Sequence, residues 1–132
     1  MWSLCLLYHA ASNRTYLGVT TDVTRRLRQH RCEIVGGARF TSRIQKGFPE
    51  CQWQLVATLS PFLNQSEVTR WERLLKLKVR GLKPRLAAMK SIAEGQYPKE
   101  FSQAMRDKYV VPQVDLEGSA YNTSDPKITI FT

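Results

Sequence analysis

Residues 15–31 read TYLGVTTDVTRRLRQHR and contain the pattern from which the fold is predicted. The first five of them have the composition of a β-strand. A short apolar run lies upstream at residues 2–8, and turn-forming residues at 11–14 separate the two. The pair therefore predicts a β-hairpin. Thr21 or Asp22 then caps a helix that is expected to run to the end of the quoted stretch.

Downstream of this unit, the pattern of apolar, glycine and proline residues predicts a third strand and further helices. The expected elements are a glycine-containing loop over 35–41 that leads through 46–49 to a strand near 52–59, helices over 65–79, 84–95 and 98–109, and a strand-like end at 128–131. Asn64 and Glu67 have the spacing of a capping box. The tail after Val110 either docks on the domain or pairs at a sheet edge.

These elements predict an α+β protein with a small sheet. The sheet is expected to have three strands, mixed or antiparallel, with helices beside it and extra helices and a tail at the C-terminal end. A chain of 132 residues suits one compact domain with an appendage. We expect the domain to span residues 1–82, and residues 83–132 to form a helical extension and tail that pack on it.

The charge of the chain predicts a polyanionic partner. Lys and Arg number 20 against 11 Asp and Glu, for a net charge of +9. Residues 1–90 hold 16 basic and 5 acidic side chains, whereas residues 91–132 hold 4 and 6. A basic front of this kind favours DNA as the partner. A membrane is disfavoured as a partner, because none of the predicted basic helices has a bulky apolar face that is left over after packing on the core. A protein partner or a homodimer is left open.

The three cysteines, Cys5, Cys32 and Cys51, fit neither a disulfide framework nor a zinc site. Their number is odd, and they show no CxxC or Cys/His spacing. Unpaired thiols of this kind are typical of a reducing compartment. We therefore expect an intracellular location, in the cytoplasm and nucleoid or in a nucleus, and no secretion. The apolar start lacks the basic residues of a signal peptide and predicts a buried strand.

Polar side chains fall beside the apolar stripes of the two main helices. Glu72 lies at the edge of the stripe on the later helix, and Arg26 and His30, four residues apart, share one face of the first helix. A carboxylate beside the core is costly unless a cation or a hydrogen-bond donor meets it. Glu72 is therefore either a structural partner of Arg26 or a functional group. Tyr16 and Tyr8, on adjacent strands, supply phenols for the same place.

These residues resemble the signature of the GIY-YIG nucleases. The run Tyr16–His30 is similar to the YIG half of that signature, in which a YIG-type strand is followed by a capped helix with R-x-x-x-H spacing. The segments at 36–41 and 47–49 and the pair Trp71-Glu72 look like those of the Slx1-like branch, whose members cut branched DNA. The resemblance implies a GIY-YIG-type fold and a metal-dependent DNA endonuclease, with a role in DNA repair or recombination.

The resemblance also implies a role for each matching residue. Tyr16 matches the tyrosine of YIG, and Gly18 matches its glycine, which has a structural role. Arg26 matches the arginine of the family, and His30 matches the position that the Slx1-like branch fills with histidine. Glu72 matches the single metal-binding glutamate.

The GIY half of the signature is where the sequence departs from the family. Cys5 stands where the first tyrosine is expected. Tyr8 matches a tyrosine that Slx1-like sequences also carry, and it is a further catalytic candidate. Residues 5 and 8 face opposite sides of a regular strand, so Tyr8 does not simply replace the missing phenol.

The chemistry that follows from the resemblance uses one divalent cation. Glu72 would hold one Mg²⁺ or Mn²⁺ ion, with waters completing its shell, since a two-metal site normally needs several acids. Arg26 would clamp a non-bridging phosphate oxygen. Either Tyr16, the first choice, or His30, which titrates near neutrality, would deprotonate the attacking water.

Exposed basic residues are expected to grip the DNA backbone without reading its sequence. The candidates are Arg25, Arg28, Arg31, Arg39, Arg43 and Lys46. A second basic stretch at residues 76–85 either tracks a duplex arm or is a solvated helix end. Two other readings stay open. One is a catalytically weakened GIY-YIG-fold protein that binds or scaffolds DNA, motivated by Cys5. The other is a structural RNA-binding protein, which leaves Glu72 without a purpose.

Overall fold

The computed structural model describes residues 1–98 and 124–131. It contains the N-terminal hairpin that the sequence predicts. Strand β1 (Trp2–His9) pairs antiparallel with strand β2 (Arg14–Thr20). Asn13 turns the chain with a φ of 53°, in the left-handed region that asparagine tolerates. Its backbone N–H donates to the carbonyl of Ala10 at 3.2 Å, which closes the turn.

The sheet has four strands in the described part of the chain, so the predicted number of three is wrong. Strand β3 (Gln54–Phe62) pairs with β1, and β4 (Lys127–Ile130) pairs with the outer side of β3. The order is β2-β1-β3-β4, and every pairing is antiparallel. The tail thus pairs at a sheet edge, one of the two possibilities that the sequence left open.

Helix α1 (Val23–His30) follows β2 and ends one residue before the predicted Arg31. Asp22 is its N-cap, and its carboxylate accepts a hydrogen bond from the backbone N–H of Arg25 at 3.1 Å. This cap satisfies one of the N–H groups that a helix start leaves without a partner. The inner face of the helix lies against β1 and β2, since Val23, Arg26 and Leu27 line one cleft with residues of both strands.

Helix α2 (Arg39–Gly47) occupies a segment that the sequence predicted as loop, and that prediction is wrong. The N-cap, Ala38, makes no side-chain hydrogen bond, so the usual start signal is absent. Tertiary contacts hold the helix instead. The indole of Trp53 donates to the carbonyl of Thr41 at 3.0 Å, and the side-chain amide of Gln45 bonds to the backbone at Cys51 and Trp53.

Helices α3 (Gln65–Lys78) and α4 (Leu82–Ala93) pack on the opposite face of the sheet, where they build the main core. Side chains of the hairpin such as Leu4 and Leu17 meet Trp71 and Leu75 of α3 there. A glycine ends α4, as predicted: Gly95 has a φ of +78°. No helix in the described ranges has the length and apolarity needed to cross a bilayer.

The start of α3 carries half of the predicted capping box. Asn64 accepts a hydrogen bond from the backbone N–H of Glu67 at 3.0 Å. The carboxylate of Glu67 is buried and accepts instead from the hydroxyl of Ser124, which also accepts from the backbone N–H of Leu63. The capping glutamate thus ties the segment before β4 to the domain. The predicted helix after Pro98 lies outside the described residues.

Candidate active site

A narrow cleft lies between the hairpin and α1, and its volume of about 10 Å³ is about the space of one water molecule. The register places Leu7 opposite Tyr16 and Cys5 opposite Gly18, so these four side-chain positions share one face of the sheet. Helix α1 closes the cleft with three residues of its inner face and with His30 at its end. The alternation of the strands and the period of the helix therefore bring together side chains from three elements.

Gly18 lies directly under the ring of Tyr16. A Cβ at position 18 would be 3.1 Å from Cε2 of that ring, closer than ordinary van der Waals contact. The ring is also held by aromatic neighbours, with His30 at 4.9 Å and Phe40 at 6.1 Å between centroids. The glycine thus makes room for the phenol at this position in the cleft.

His30 is 1% exposed, and its hydrogen bonds assign its tautomer. Nδ1 lies 2.6 Å from Oγ1 of Thr41, and that hydroxyl donates its own proton to the carbonyl of Ala38 at 3.1 Å. Since the hydroxyl proton is committed, Oγ1 accepts from Nδ1–H, and Nε2 is the nitrogen without a proton. Burial, and then the charge of Arg26, lower the pKa of His30 to about 4. His30 is therefore a neutral imidazole at neutral pH.

Arg26 is half-buried beside the cleft and is held by the glycine loop. One nitrogen, Nη1, donates to the carbonyl of Gly36 at 2.7 Å and to Oε1 of Gln29 at 2.9 Å. Gly36 has a φ of +115°, and a Cβ on Gly37 would collide with the carbonyl of Gln29. Only glycine fits this close approach. Among the described residues nothing bonds to Nε or Nη2 of Arg26, so those donors remain for a ligand.

Glu72 does not line the cleft, and its ionic partner is Lys76 rather than Arg26. Oε2 of Glu72 lies 3.5 Å from Nζ of Lys76, one turn along α3. The same ammonium lies 5.1 Å from the centroid of the Tyr16 ring. Lys76 thus connects the carboxylate to the phenol around the edge strand β2. The expected contact between Glu72 and Arg26 is not seen among the described residues.

The donor set around Glu72 decides what cation could bind. No group of three or more His, Cys, Asp or Glu side chains that could hold a metal is found in residues 1–98 and 124–131. The side chain of Glu72 is 19% exposed, so its carboxylate is open to water. One carboxylate with waters and a substrate phosphate suits a hard cation such as Mg²⁺, which keeps several of its waters. An ion there would share the carboxylate with Lys76.

Two side chains of β1 differ in their place relative to the cleft. Tyr8 is on the opposite face from Tyr16, and its hydroxyl donates to Oδ1 of Asn13 at 3.0 Å in the hairpin turn. Tyr8 is not among the residues of the cleft, so its selection as a catalytic candidate is not supported by its position. Cys5 does face the cleft, where burial raises the pKa of its thiol to about 12.

The outward direction predicted for the arginines of α1 is wrong for Arg31, and the phosphate contacts themselves stay a prediction. Arg31 turns inward, where Nε donates to the carbonyl of Trp53 at 2.7 Å, because the chain leaves the helix at that residue. Arg28 pairs with Glu33 at 3.4 Å. Arg25 stays exposed on the helix.

Three of the other predicted phosphate contacts lie on one face of α2. Arg39, Arg43 and Lys46 are exposed and lie at i, i+4 and i+7, so they share one face of that helix. On the second basic stretch, Arg85 is bound to the carbonyl of Val79 and to the hydroxyl of Thr15, which makes it a structural contact between α4 and β2.

Residues 1–84 match the family model described as the GIY-YIG catalytic domain. The chain belongs to the GIY-YIG family. The matched range contains the whole cleft and α3 with Glu72 and Lys76. A relative, UPF0213 protein SG0387 of Sodalis glossinidius (strain morsitans), is 36% identical over 102 residues, which cover 77% of this chain and 86% of that protein. A GIY-YIG domain implies nuclease activity with DNA as the substrate, and such nucleases are generally metal-dependent.

Sequence analysis did not assign two residues, Thr41 and Lys76, to this site. Thr41 lies in the segment that resembles the Slx1-like loops, but its bond to His30 needs a helix where a loop was predicted. Lys76 was placed in a solvent-facing basic stretch. Its i+4 spacing from Glu72 was the available signal, since side chains four apart on a helix are neighbours.

Proposed function

We propose that this protein is a metal-dependent DNA endonuclease that hydrolyses phosphodiester bonds in the cleft between the hairpin and α1. The observation that supports this most strongly is the state of His30. A buried imidazole with its proton fixed on Nδ1 leaves Nε2 as a proton acceptor beside a phenol and a half-free guanidinium.

In the proposed reaction a water molecule, oriented by the hydroxyl of Tyr16, attacks the phosphorus. Its proton passes to Nε2 of His30, the bond from phosphorus to the 3′ oxygen breaks, and the departing oxygen takes up a proton from solvent water. The free donors of Arg26 bind a non-bridging oxygen and offset the charge that grows on the phosphorane. A Mg²⁺ or Mn²⁺ ion held by Glu72 would supply neutralisation of the phosphate and the leaving oxygen. Tyr16 is thus the positioning group and His30 the base.

The direct test compares nicking of supercoiled DNA by the wild type and by Glu72→Gln, with and without Mg²⁺. We expect chelator to abolish the wild-type reaction, and the variant to lose at least about 100-fold in rate with unchanged DNA binding. Glu50→Gln is the matched control, because that carboxylate is exposed and lies outside the cleft. Full cleavage by Glu72→Gln, or cleavage that persists in chelator, would refute the metal-dependent scheme.

The preference for branched DNA is a finer part of the proposal. It rests on the similarity of the loop segments and of Trp71-Glu72 to the Slx1-like branch, and it carries with it a role in DNA repair or recombination. A panel of flap, junction and linear duplexes at equal concentration tests it. Equal rates on all three shapes would contradict the preference and leave the nuclease assignment intact.

A second candidate function is DNA binding without turnover, favoured by Cys5. The thiol occupies the cleft where the family's first phenol is expected, and its raised pKa keeps it protonated, so it offers neither the reach nor the charge of that group. The nicking assay separates the two functions. Binding with no cleavage under any divalent cation would favour the scaffold.

A further inference from the structure

A shallow surface groove lies next to the cleft, between the hairpin turn and the outer face of α2. It is formed by Ser12, Arg14, Phe40, Arg43, Ile44 and Phe48. No part of the reaction proposed above uses it. Its residues combine exposed aromatic rings with exposed guanidinium groups, a combination that surface packing alone does not require.

The two rings of the groove are exposed but fixed in place. Phe40 and Phe48 are each 42% exposed. The ring of Phe40 stacks on Tyr16 at an interplanar angle of 21°, and that of Phe48 lies 5.4 Å from His9 between centroids. His9 is itself buried, and both of its nitrogens are hydrogen-bonded. The exposed parts of both rings are therefore preorganised, so a ligand that stacks on them loses little free energy in ordering them.

The charges of the groove favour a phosphate-bearing ligand. Arg14 and Arg43 are exposed, and neither has an ion pair or a side-chain hydrogen bond among residues 1–98 and 124–131. In the described part of the chain no acidic residue lines the groove. Free guanidinium groups beside open aromatic faces are the pattern by which proteins hold single-stranded nucleic acid, with the bases stacked and the backbone neutralised.

We propose that this groove binds an unpaired stretch of the DNA strand adjacent to the bond that is cut. A base stacks on Phe40 or Phe48, and Arg14 and Arg43 contact its phosphates. A base inside a duplex is already stacked on both faces and cannot offer one to a ring, so the groove selects DNA with unpaired nucleotides beside the cleft. Continuity comes from Phe40, whose ring stacks on Tyr16. The inference rests on the proposed nuclease function and names its substrate class.

The test measures binding without cleavage, so that its outcome is independent of catalysis. The full chain is titrated without divalent cation against a fluorescein-labelled 12-residue oligothymidylate, and anisotropy is recorded. We expect Phe48→Ala to weaken binding roughly five- to 150-fold, the range for loss of one base-aromatic stack. Phe131→Ala is the matched control, because that ring is 44% exposed but lies beyond β4 at the other edge of the sheet.

Two further variants protect the test against misfolding. Phe48→Trp keeps a stacking surface and should bind at least as tightly as the wild type. Arg43→Gln should make the negative slope of log affinity against log salt concentration shallower by about 0.7, the value for one phosphate contact on a single strand. Circular dichroism melts confirm that each variant is folded.

Three outcomes would overturn the inference. Phe48→Ala could bind the oligothymidylate as tightly as Phe131→Ala does. It could lose affinity for a continuous duplex by the same factor. An oligouridylate of equal length could bind tighter, with the same dependence on Phe48, which would make RNA the ligand. Absence of nicking in the cleavage assay leaves the binding result standing, so the two proposals fail separately.

Discussion

Burial of His30 makes a quantitative prediction about stability in acid. Burial and Arg26 lower the pKa of this imidazole from 6.5 to about 4 in the folded protein. In the unfolded chain the group recovers its ordinary value. Below that value the unfolded state therefore binds a proton that the folded state does not, and folding stability falls as the pH falls. The loss is absent above pH 7.5, grows through pH 6.5 and saturates below pH 4.

The size of the effect follows from the two pKa values. At pH 5 the unfolded imidazole is almost fully protonated and the folded one mostly neutral, which costs about 2 kcal/mol of unfolding free energy. Glu67 acts in the opposite direction, because burial raises its pKa and its carboxyl binds a proton more readily in the folded state. The pH dependence of the wild-type unfolding free energy would therefore combine the effects of His30 and Glu67. A comparison with a variant that lacks only the imidazole isolates His30.

The assay is urea unfolding of the wild type and of His30→Asn at pH 7.5 and pH 5. Asparagine keeps an N–H donor near the position of Nδ1 and cannot titrate, so any constant cost of the substitution cancels between the two pH values. We expect the wild type to lose about 2 kcal/mol more than the variant. If both proteins lose the same free energy within about 0.5 kcal/mol, His30 is not held neutral by burial.

Three other predictions follow from contacts near the cleft. Gly18→Ala should slow cleavage at least about tenfold with DNA binding unchanged, because the added methyl group pushes the Tyr16 ring; quench-flow rates and anisotropy check this. Arg31→Ala should lower the unfolding free energy by about 1–3 kcal/mol in urea titrations, since it strands a buried carbonyl. The salt dependence of DNA binding should not change. Iodoacetamide at pH 8 should label Cys32, which is exposed, and spare Cys5 until denaturant is added, as mass spectrometry of peptides would show.

The elements that were predicted correctly are those whose signals are local. The alternation of residues across the hairpin and the caps at Asp22 and Asn64 are properties of a few neighbouring residues. The 3.6-residue period likewise places Arg26 and His30 on one face of α1. Side-chain direction in a strand or helix depends on the backbone repeat, so it can be read without knowledge of the partner.

Tertiary structure decided what depended on partners far along the chain. Helix α2 lacks a capping side chain and is held by Trp53, and Arg31 turned inward to the carbonyl of the same residue. Strand β4 exists because β3 has a free edge for it. The free energy of each of these contacts comes from groups that composition and spacing do not pair. The sequence alone therefore determined the hairpin, the capped helices and the residue types of the site, while only packing determined how those residues are connected.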